Sequence, residues 1–309
     1  MTGPVYERIA IIGVGLIGAS LAHAAREAGA AGDIKLYDAD MNVRARAVAL
    51  GLGDVCADAA AAVKDADLVI LATPVGAMRA AMEACRDALK PGATLTDVGS
   101  VKKAVVDAIA PLTPGNVYFV PGHPLAGTER SGPDAGFATL FQGRWHILTP
   151  LDDPRPEYAP AADKLADFWR ALGANVERMD LARHDVVLAA VSHLPHLIAF
   201  TIVFMAEHLE TVTESEVVKY SASGFRDFTR IAASDPTMWR DVFLANREAV
   251  LHVLGAFSEE LAALQKAIRW GEGDKLFDTF TAARRVRREV IEAGQDSPAP
   301  NWGRDKPPA

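Results

Sequence analysis

Cysteine is nearly absent from the 309 residues: only Cys56 and Cys85 occur. Two thiols are too few for a disulfide framework and are not spaced as a metal-binding C-x-x-C pair. Both read as reduced thiols of a cytosolic protein. Basic charge is also in short supply. Lys and Arg number 32 against 40 Asp and Glu, a net charge of −8, which argues against a nucleic-acid or anionic-membrane partner, since both reward clustered cations. An anionic substrate would therefore need a local cationic pocket. Met1 to Arg8 has no long apolar core behind a basic flank, so no signal peptide is expected and the location is read as cytoplasmic. No stretch approaches the roughly 18 apolar residues of a membrane span.

What is present is globular in composition, 50% hydrophobic and 23% charged, over a length that suits two domains. Residues 9–13, Ile-Ala-Ile-Ile-Gly, read as a buried strand running into glycine, with an alanine-rich helix behind it that stops at Gly29. Strands are expected at Ile34–Tyr37, at Asp67–Ala72 (closed by Thr73-Pro74), at Thr94–Val98, at Val117–Val120 and at Trp145–Leu148. Alternating strands and helices imply a mostly parallel sheet covered on both faces. Asn175–Met179 is a last strand. Beyond it the pattern is helical: an apolar run from Leu181 to Glu210 kinked at Pro195, a helix started by Asp235-Pro236 and running to Trp270 with Gly271 as its stop, and one more helix from Lys275 to Ala293. The organisation read from this is an N-terminal α/β domain over 1–180, an all-α domain over 181–295, and a Pro-rich disordered tail over 296–309. A long apolar helix in a small helical domain needs cover, which a homodimer of interdigitating C-terminal helices would supply.

Gly13-Val14-Gly15-Leu16-Ile17-Gly18 matches G-x-G-x-x-G in the context that gives the motif meaning, between a strand and a helix. Gly13 permits the tight turn, Gly15 lets a pyrophosphate approach the backbone, and Gly18 lets the helix pack on the strand. The helix N-terminus, with Leu16 and Ile17 in its first turn, stabilises phosphate charge. The domain is thus read as a Rossmann-type parallel sheet, with Thr73 and Pro74 also at the cofactor. Asp38 ends the second strand, where an acidic residue accepts hydrogen bonds from the adenosine ribose and repels a 2′-phosphate, so NAD is expected rather than NADP. Arg44 and Arg46, just beyond, are the residues that would hold a 2′-phosphate instead. Asp40 is read as a solvated loop residue.

Three segments carry reactive groups. In Asp97-Val98-Gly99-Ser100-Val101-Lys102, Ser100 sits past a strand end, where open α/β sheets bind ligands, or else caps the next helix. In Gly122-His123-Pro124-Leu125-Ala126-Gly127-Thr128-Glu129, a histidine between Gly and Pro is poorly explained as core. Ser192-His193-Leu194-Pro195-His196 places two histidines three apart, as metal ligands would be, but no carboxylate or cysteine completes a set, and no metal is expected. His193 alone reads best as a core histidine. Phe228-Thr229-Arg230-Ile231 and Met238-Trp239 follow.

Together with the glycine fingerprint, these segments and Thr229-Arg230-Ile231-Ala232 resemble the prephenate/arogenate (cyclohexadienyl) dehydrogenases of tyrosine biosynthesis, in order and from about Ile9 to about Ala293. The resemblance implies a Rossmann domain followed by a helical dimerisation domain. It also implies NAD-dependent oxidative decarboxylation of prephenate to 4-hydroxyphenylpyruvate, of arogenate to tyrosine, or of both. It implies His123 as the catalytic base on the substrate hydroxyl and Ser100 as the residue orienting it beside the nicotinamide. Arg230 would bind a substrate carboxylate, His196 would lie near the substrate side chain, Thr128 and Glu129 would line the pocket entrance, and Trp239 would be a pocket aromatic. Two other readings stay open: a different Rossmann-plus-helical enzyme such as a β-hydroxyacid dehydrogenase, with Lys219 as its lysine, and an NAD-binding sensor without turnover.

Overall fold

The structure, a computed structural model, describes residues 3–128, 130–208 and 219–292. The expected disordered tail at 296–309 lies outside them. In chain order come β1 (Tyr6–Ile12), α1 (Leu16–Glu27), β2 (Ala31–Tyr37), α2 (Met41–Ala49), β3 (Asp54–Val55), α3 (Ala59–Val63), β4 (Leu68–Leu71), α4 (Met78–Glu83), β5 (Thr94–Asp97), α5 (Lys103–Ile109), β6 (Tyr118–Phe119), β7 (Gly122–Pro124), β8 (Trp145–Leu148), α6 (Tyr158–Ala171) and β9 (Asn175–Arg178). The helical part follows: α7 (Leu181–Leu188), α8 (Leu194–His208), α9 (Ser223–Thr229), α10 (Pro236–Ala245), α11 (Arg247–Trp270) and α12 (Gly273–Glu292).

Six strands form one sheet in the order β3-β2-β1-β4-β5-β6, all parallel. The order reverses between β1 and β4, and ligands of open α/β sheets bind at the carboxyl ends of the strands at such a point. β1 and β4 are buried along nearly their whole length because helices cover both faces. On one face Ile9, Ile11, Leu68 and Ile70 pack with α1 and with Phe168 and Trp169 of α6. On the other, Ala10, Ile12, Val69 and Leu71 pack with α3, α4 and α5.

The strands from β7 onward do not continue this sheet, as the simple alternation implied. They form a second sheet, β7-β8-β9, with β7 antiparallel and β9 parallel to β8. Pro121 has no N–H to extend the first ladder, and its carbonyl accepts instead from the Thr149 amide. Among the described residues between β7 and β8 the chain makes short 3-10 turns and no crossover helix that would return it parallel.

The apolar run after Leu181 is one helical rod to His208. It is long and apolar enough, by length and composition, to cross a membrane, which corrects the expectation that no stretch approaches that size. The polar Ser192, His193 and His196 interrupt the apolar run in the sequence, but spread along a helix they leave the mean hydropathy high. Inside the rod, Ala189–His193 is π-helical, so the irregularity lies just ahead of Pro195. The helix begun by Asp235 does not run unbroken to Trp270. Asp235 accepts from the Met238 amide and Pro236 opens the first turn, as expected, but the chain breaks at Asn246 between α10 and α11. Gly271, at φ 66°, ends α11 in the left-handed conformation that suits glycine.

Candidate active site

The glycine fingerprint lies at the sheet's switch point. Gly13 has φ 99°, and a Cβ there would sit 2.6 Å from the Ala72 carbonyl oxygen. A Cβ on Gly18 would fall 2.0 Å from the Gly13 oxygen. Both positions are sterically closed to any other residue. A Cβ on Gly15 would meet nothing within 4 Å, so the backbone at the start of α1 faces open space of the kind a pyrophosphate requires. Leu16 and Ile17 begin α1 and pack, half-buried, on the core. Asp38 accepts the Val14 amide at 2.8 Å with one oxygen and the Asp40 amide with the other. Asp40 is no mere loop residue: it caps α2 through the Asn42 amide. Arg46 grips Asp134 with two nitrogens, and Arg44 donates to the carbonyls of Asp38 and Ala39. Thr73, two residues past β4, has a buried hydroxyl with no partner among the described residues, and Pro74 follows it on the surface.

Beyond β5 the chain turns through Ser100 to Lys102. Ser100 does not cap α5, which has no side-chain cap of its own at Lys102. Lys102 is fully buried and its ammonium bonds Asp97 and the Gly122 carbonyl. Asp97 also accepts the amides of Gly99 at 2.7 Å and Gly122 at 3.3 Å. This buried pair fastens the Ser100 loop to β7, and β7 carries His123. Burial pushes Lys102 down, against the pull of Asp97.

His123 is 8% exposed. Its Nδ1 lies 2.9 Å from Nε2 of His184, and Nδ1 of His184 lies 2.8 Å from Oδ1 of Asp185. Asp185 in turn accepts the backbone amides of Lys102 at 2.8 Å and Lys103 at 2.9 Å, so a side chain of α7 caps α5. Burial holds His123 well below the usual histidine range, with His184, Lys102, His146 and His193 adding to the effect. Burial likewise lowers His184, with Asp185 opposing. Burial alone would raise Asp185, but the bonds from His184 and the two amides outweigh it and keep the carboxyl below its usual range. Asn246, at the break before α11, donates to the Asp185 carbonyl at 2.9 Å and lies 3.1 Å from Nδ1 of His193. Buried His193 is pushed down to about 4.

Trp239 gathers the remaining groups. It is buried, packs with Val101 next to Ser100, stacks on His196 at a centroid distance of 3.7 Å, and meets His193 edge-on at 6.0 Å. Its indole nitrogen and Nε2 of His193 are buried without a partner among the described residues. Burial lowers His196, and the charge of Arg230 lowers it further; the turn Arg230–Ala233 packs on α8, which carries His196. Fold and side chains thus bring Ser100, His123, His196, Arg230 and Trp239 into one neighbourhood. Among the described residues Thr128 has no bond to this cluster: its hydroxyl accepts the Arg130 amide within its own loop. Glu129 lies outside the described residues. Among those residues, no group of three or more His, Cys, Asp or Glu could hold a metal ion.

Sequence reasoning passed over His184, Asp185, Asn246 and the structural part of Lys102. One signal was available: a His-Asp pair opening an otherwise apolar helix needs buried partners, because isolated buried polar groups are costly.

A family model for the nucleotide-binding domain of prephenate dehydrogenase matches residues 21–178. One for that enzyme's dimerization domain matches residues 180–282. The chain is 44% identical to the cyclohexadienyl dehydrogenase of Zymomonas mobilis over 92% of its own length and 96% of the relative's. It is 33% identical to the prephenate dehydrogenase of Bacillus subtilis, over 91% of this chain and 75% of that one. The solved prephenate dehydrogenase of Aquifex aeolicus, in complex with hydroxyphenyl propionate and NAD+, superposes with a TM-score of 0.84 at 34% identity, covering 92% of this chain and 98% of that one. Synechocystis arogenate dehydrogenase superposes with a TM-score of 0.76 at 26% identity, over 92% of this chain and 99% of that one. With both family models matched across most of its length, the chain belongs to the prephenate dehydrogenase family.

Proposed function

We propose that this chain catalyses the NAD-dependent oxidative decarboxylation of prephenate, of arogenate, or of both. The observation that carries the reading is the placement of His123, buried, with burial lowering its pKa, and fastened through Lys102 to the Ser100 loop at the carboxyl edge of the sheet. The open backbone at Gly15 and the carboxylate of Asp38 suit the pyrophosphate and adenosine ribose of NAD. When bound, the nicotinamide supplies the hydride acceptor.

The substrate is a cyclohexadienol whose ring carboxylate lies opposite the hydroxyl. As hydride leaves the hydroxyl-bearing carbon, His123 takes the hydroxyl proton and a dienone forms. The ring then draws the electron pair of the breaking C–CO2 bond towards the carbonyl oxygen, and carbon dioxide leaves. That oxygen becomes a phenolate and recovers the proton from His123, so the cycle neither gains nor loses a proton on the protein. The ring is its own electron sink. The chain supplies a base, orientation and cationic anchoring. Ser100 orients the hydroxyl, Arg230 binds a carboxylate with a bidentate fork, and His196, Trp239, Thr128 and Glu129 border the substrate. Residues 1–180 are read as the cofactor unit and 181–295 as the substrate and dimerisation unit of a cytoplasmic homodimer. Exposed Phe204, Leu251, Trp270, Phe277 and Phe280 are the apolar surface a second copy would cover.

Purified protein incubated with NAD+ and either substrate should produce NADH and carbon dioxide in equal amounts. Absence of NADH with both substrates would overturn the activity. Light scattering should give twice the chain mass, and Phe277→Glu with Phe280→Glu should reduce it to one.

A further inference from the structure

We propose that His184 and Asp185 are positioning residues: they set the tautomer of His123, leaving its Nε2 free to receive the substrate proton, and they steady the imidazolium formed in turnover. The inference rests on the reading of His123 as the base.

Hydrogen-bond chemistry fixes each proton in turn. An ionised carboxylate only accepts, so the 2.8 Å contact between Asp185 Oδ1 and His184 Nδ1 requires the proton on that nitrogen. Neutral His184 then has a bare Nε2. The 2.9 Å contact from that atom to His123 Nδ1 requires a proton on His123 Nδ1. Neutral His123 is left with its lone pair on Nε2. Asp185 cannot swing away to serve any other tautomer, because the Lys102 and Lys103 amides hold both of its oxygens.

The same chain acts during the reaction. Once Nε2 takes the substrate proton, His123 is a cation in a buried site, facing His184 from α7, Lys102 from the Ser100 loop, His146 from β8 and His193 from the π-helical turn. Lys102 repels it as a fixed charge, and the three imidazoles oppose it only when protonated themselves; neutral His184 instead turns its Nε2 lone pair towards it. Asp185, one histidine away, is the carboxylate the chain aims at it, while Asp97 is occupied by Lys102. The proton stays on His123 long enough to return to the phenolate oxygen, which is what the chemistry demands.

Three measurements test this. In ligand-free protein labelled with 15N-histidine, His123 and His184 should both carry their proton on Nδ1, read from nitrogen shifts and one-bond couplings. Nε2-protonated His123 would overturn the proposal without reference to activity. Asp185→Asn retains an oxygen for capping α5 but offers an N–H to His184, which reverses both tautomers. It should lower kcat by about 10- to 100-fold, below the full value of a general base, with KM for NAD within about threefold. The acid limb of kcat/KM should move to lower pH, because the distant carboxylate no longer favours the imidazolium. A residue that only caps α5 would leave that limb in place. His184→Gln, which can still accept from His123, should keep more activity than His184→Leu. Equal losses, or an Asp185→Asn enzyme with unaltered kcat and acid limb, would overturn the proposal. His123→Asn separates the two ideas: if it is slow while Asp185→Asn is unaffected, the base stands and the positioning role falls. If His123→Asn is itself fully active, the reading of the base has failed.

Discussion

Asp38 holds the Val14 amide at 2.8 Å, so the residue that would meet the adenosine ribose also clamps the glycine turn beneath the pyrophosphate. Replacing it therefore has two effects. Asp38→Ser removes the charge that repels a 2′-phosphate, and the efficiency ratio of NADP to NAD should rise about tenfold or more, since ~1.4 kcal/mol of relieved repulsion is tenfold. Affinity for NAD should fall as well, because the clamp is lost. Steady-state kinetics with both cofactors measure this. Unaltered protein that already prefers NADP would contradict the reading of Asp38.

His123→Asn retains a polar side chain of similar reach but accepts no proton. We expect kcat to fall by about 10²–10⁴-fold, the usual value of a general base, with NAD affinity and melting temperature nearly unchanged. In the unaltered enzyme His123 works only when neutral, and burial lowers its pKa. Activity should therefore stay high through pH 7 and fall only as the pH drops below the ordinary histidine range near 6.5. An acid limb above that range would show that His123 is not held neutral.

Arg230 is expected to act in binding more than in turnover. Its carboxylate contact exists in both ground and transition states, so Arg230→Ala should raise KM by roughly 10- to 100-fold with a smaller change in kcat. An unchanged KM would remove Arg230 from the site.

Four buried histidines make the fold sensitive to acid. His123, His146, His184 and His193 all have pKa values lowered by burial, whereas unfolded histidines titrate near 6.5. Below that pH the unfolded chain binds more protons than the folded one, so acidification favours unfolding. Stability is complete above about pH 6.5 and is lost as the pH falls towards the folded values, about 4 for His193. His193 alone should cost about 2 kcal/mol by pH 5. Melting temperature should be flat from pH 8 to 7 and decline by several degrees at pH 5; a flat profile to pH 5 would contradict it.

The parts legible in the sequence were those dictated locally. Gly13 and Gly18 are required by backbone atoms a few ångströms away, and the apolar runs Ile9–Ile12 of β1 and Leu68–Leu71 of β4 announce themselves. Asp235-Pro236 and Gly271 mark helix ends through their own conformations. What stayed hidden depends on distant partners. His184 meets His123 across 61 positions, and Asp185 meets Lys102 across 83, so neither carries a local pattern. The second sheet was missed because Pro121 redirects the chain, and a short strand such as β7 has no periodicity to read. The break at Asn246 is masked by good helix formers on both sides, while the partners of its side chain, Asp185 and His193, lie elsewhere in the chain.

The π-helical stretch Ala189–His193 makes the rod tolerant of a change in chain length at one place. An α-helix advances about 100° per residue, and a π-turn holds one residue more than the regular spiral. Deleting exposed Val191 would let the turn close to α-helix with nearly the same sweep, so His196 would keep the face of Trp239 and Phe204 and Met205 would keep their outlook. The same deletion in a regular turn of α8 would rotate everything beyond it by about 100° relative to His184 and Asp185. A lost residue that would re-aim the exposed apolar patch anywhere else along the rod is thus absorbed here.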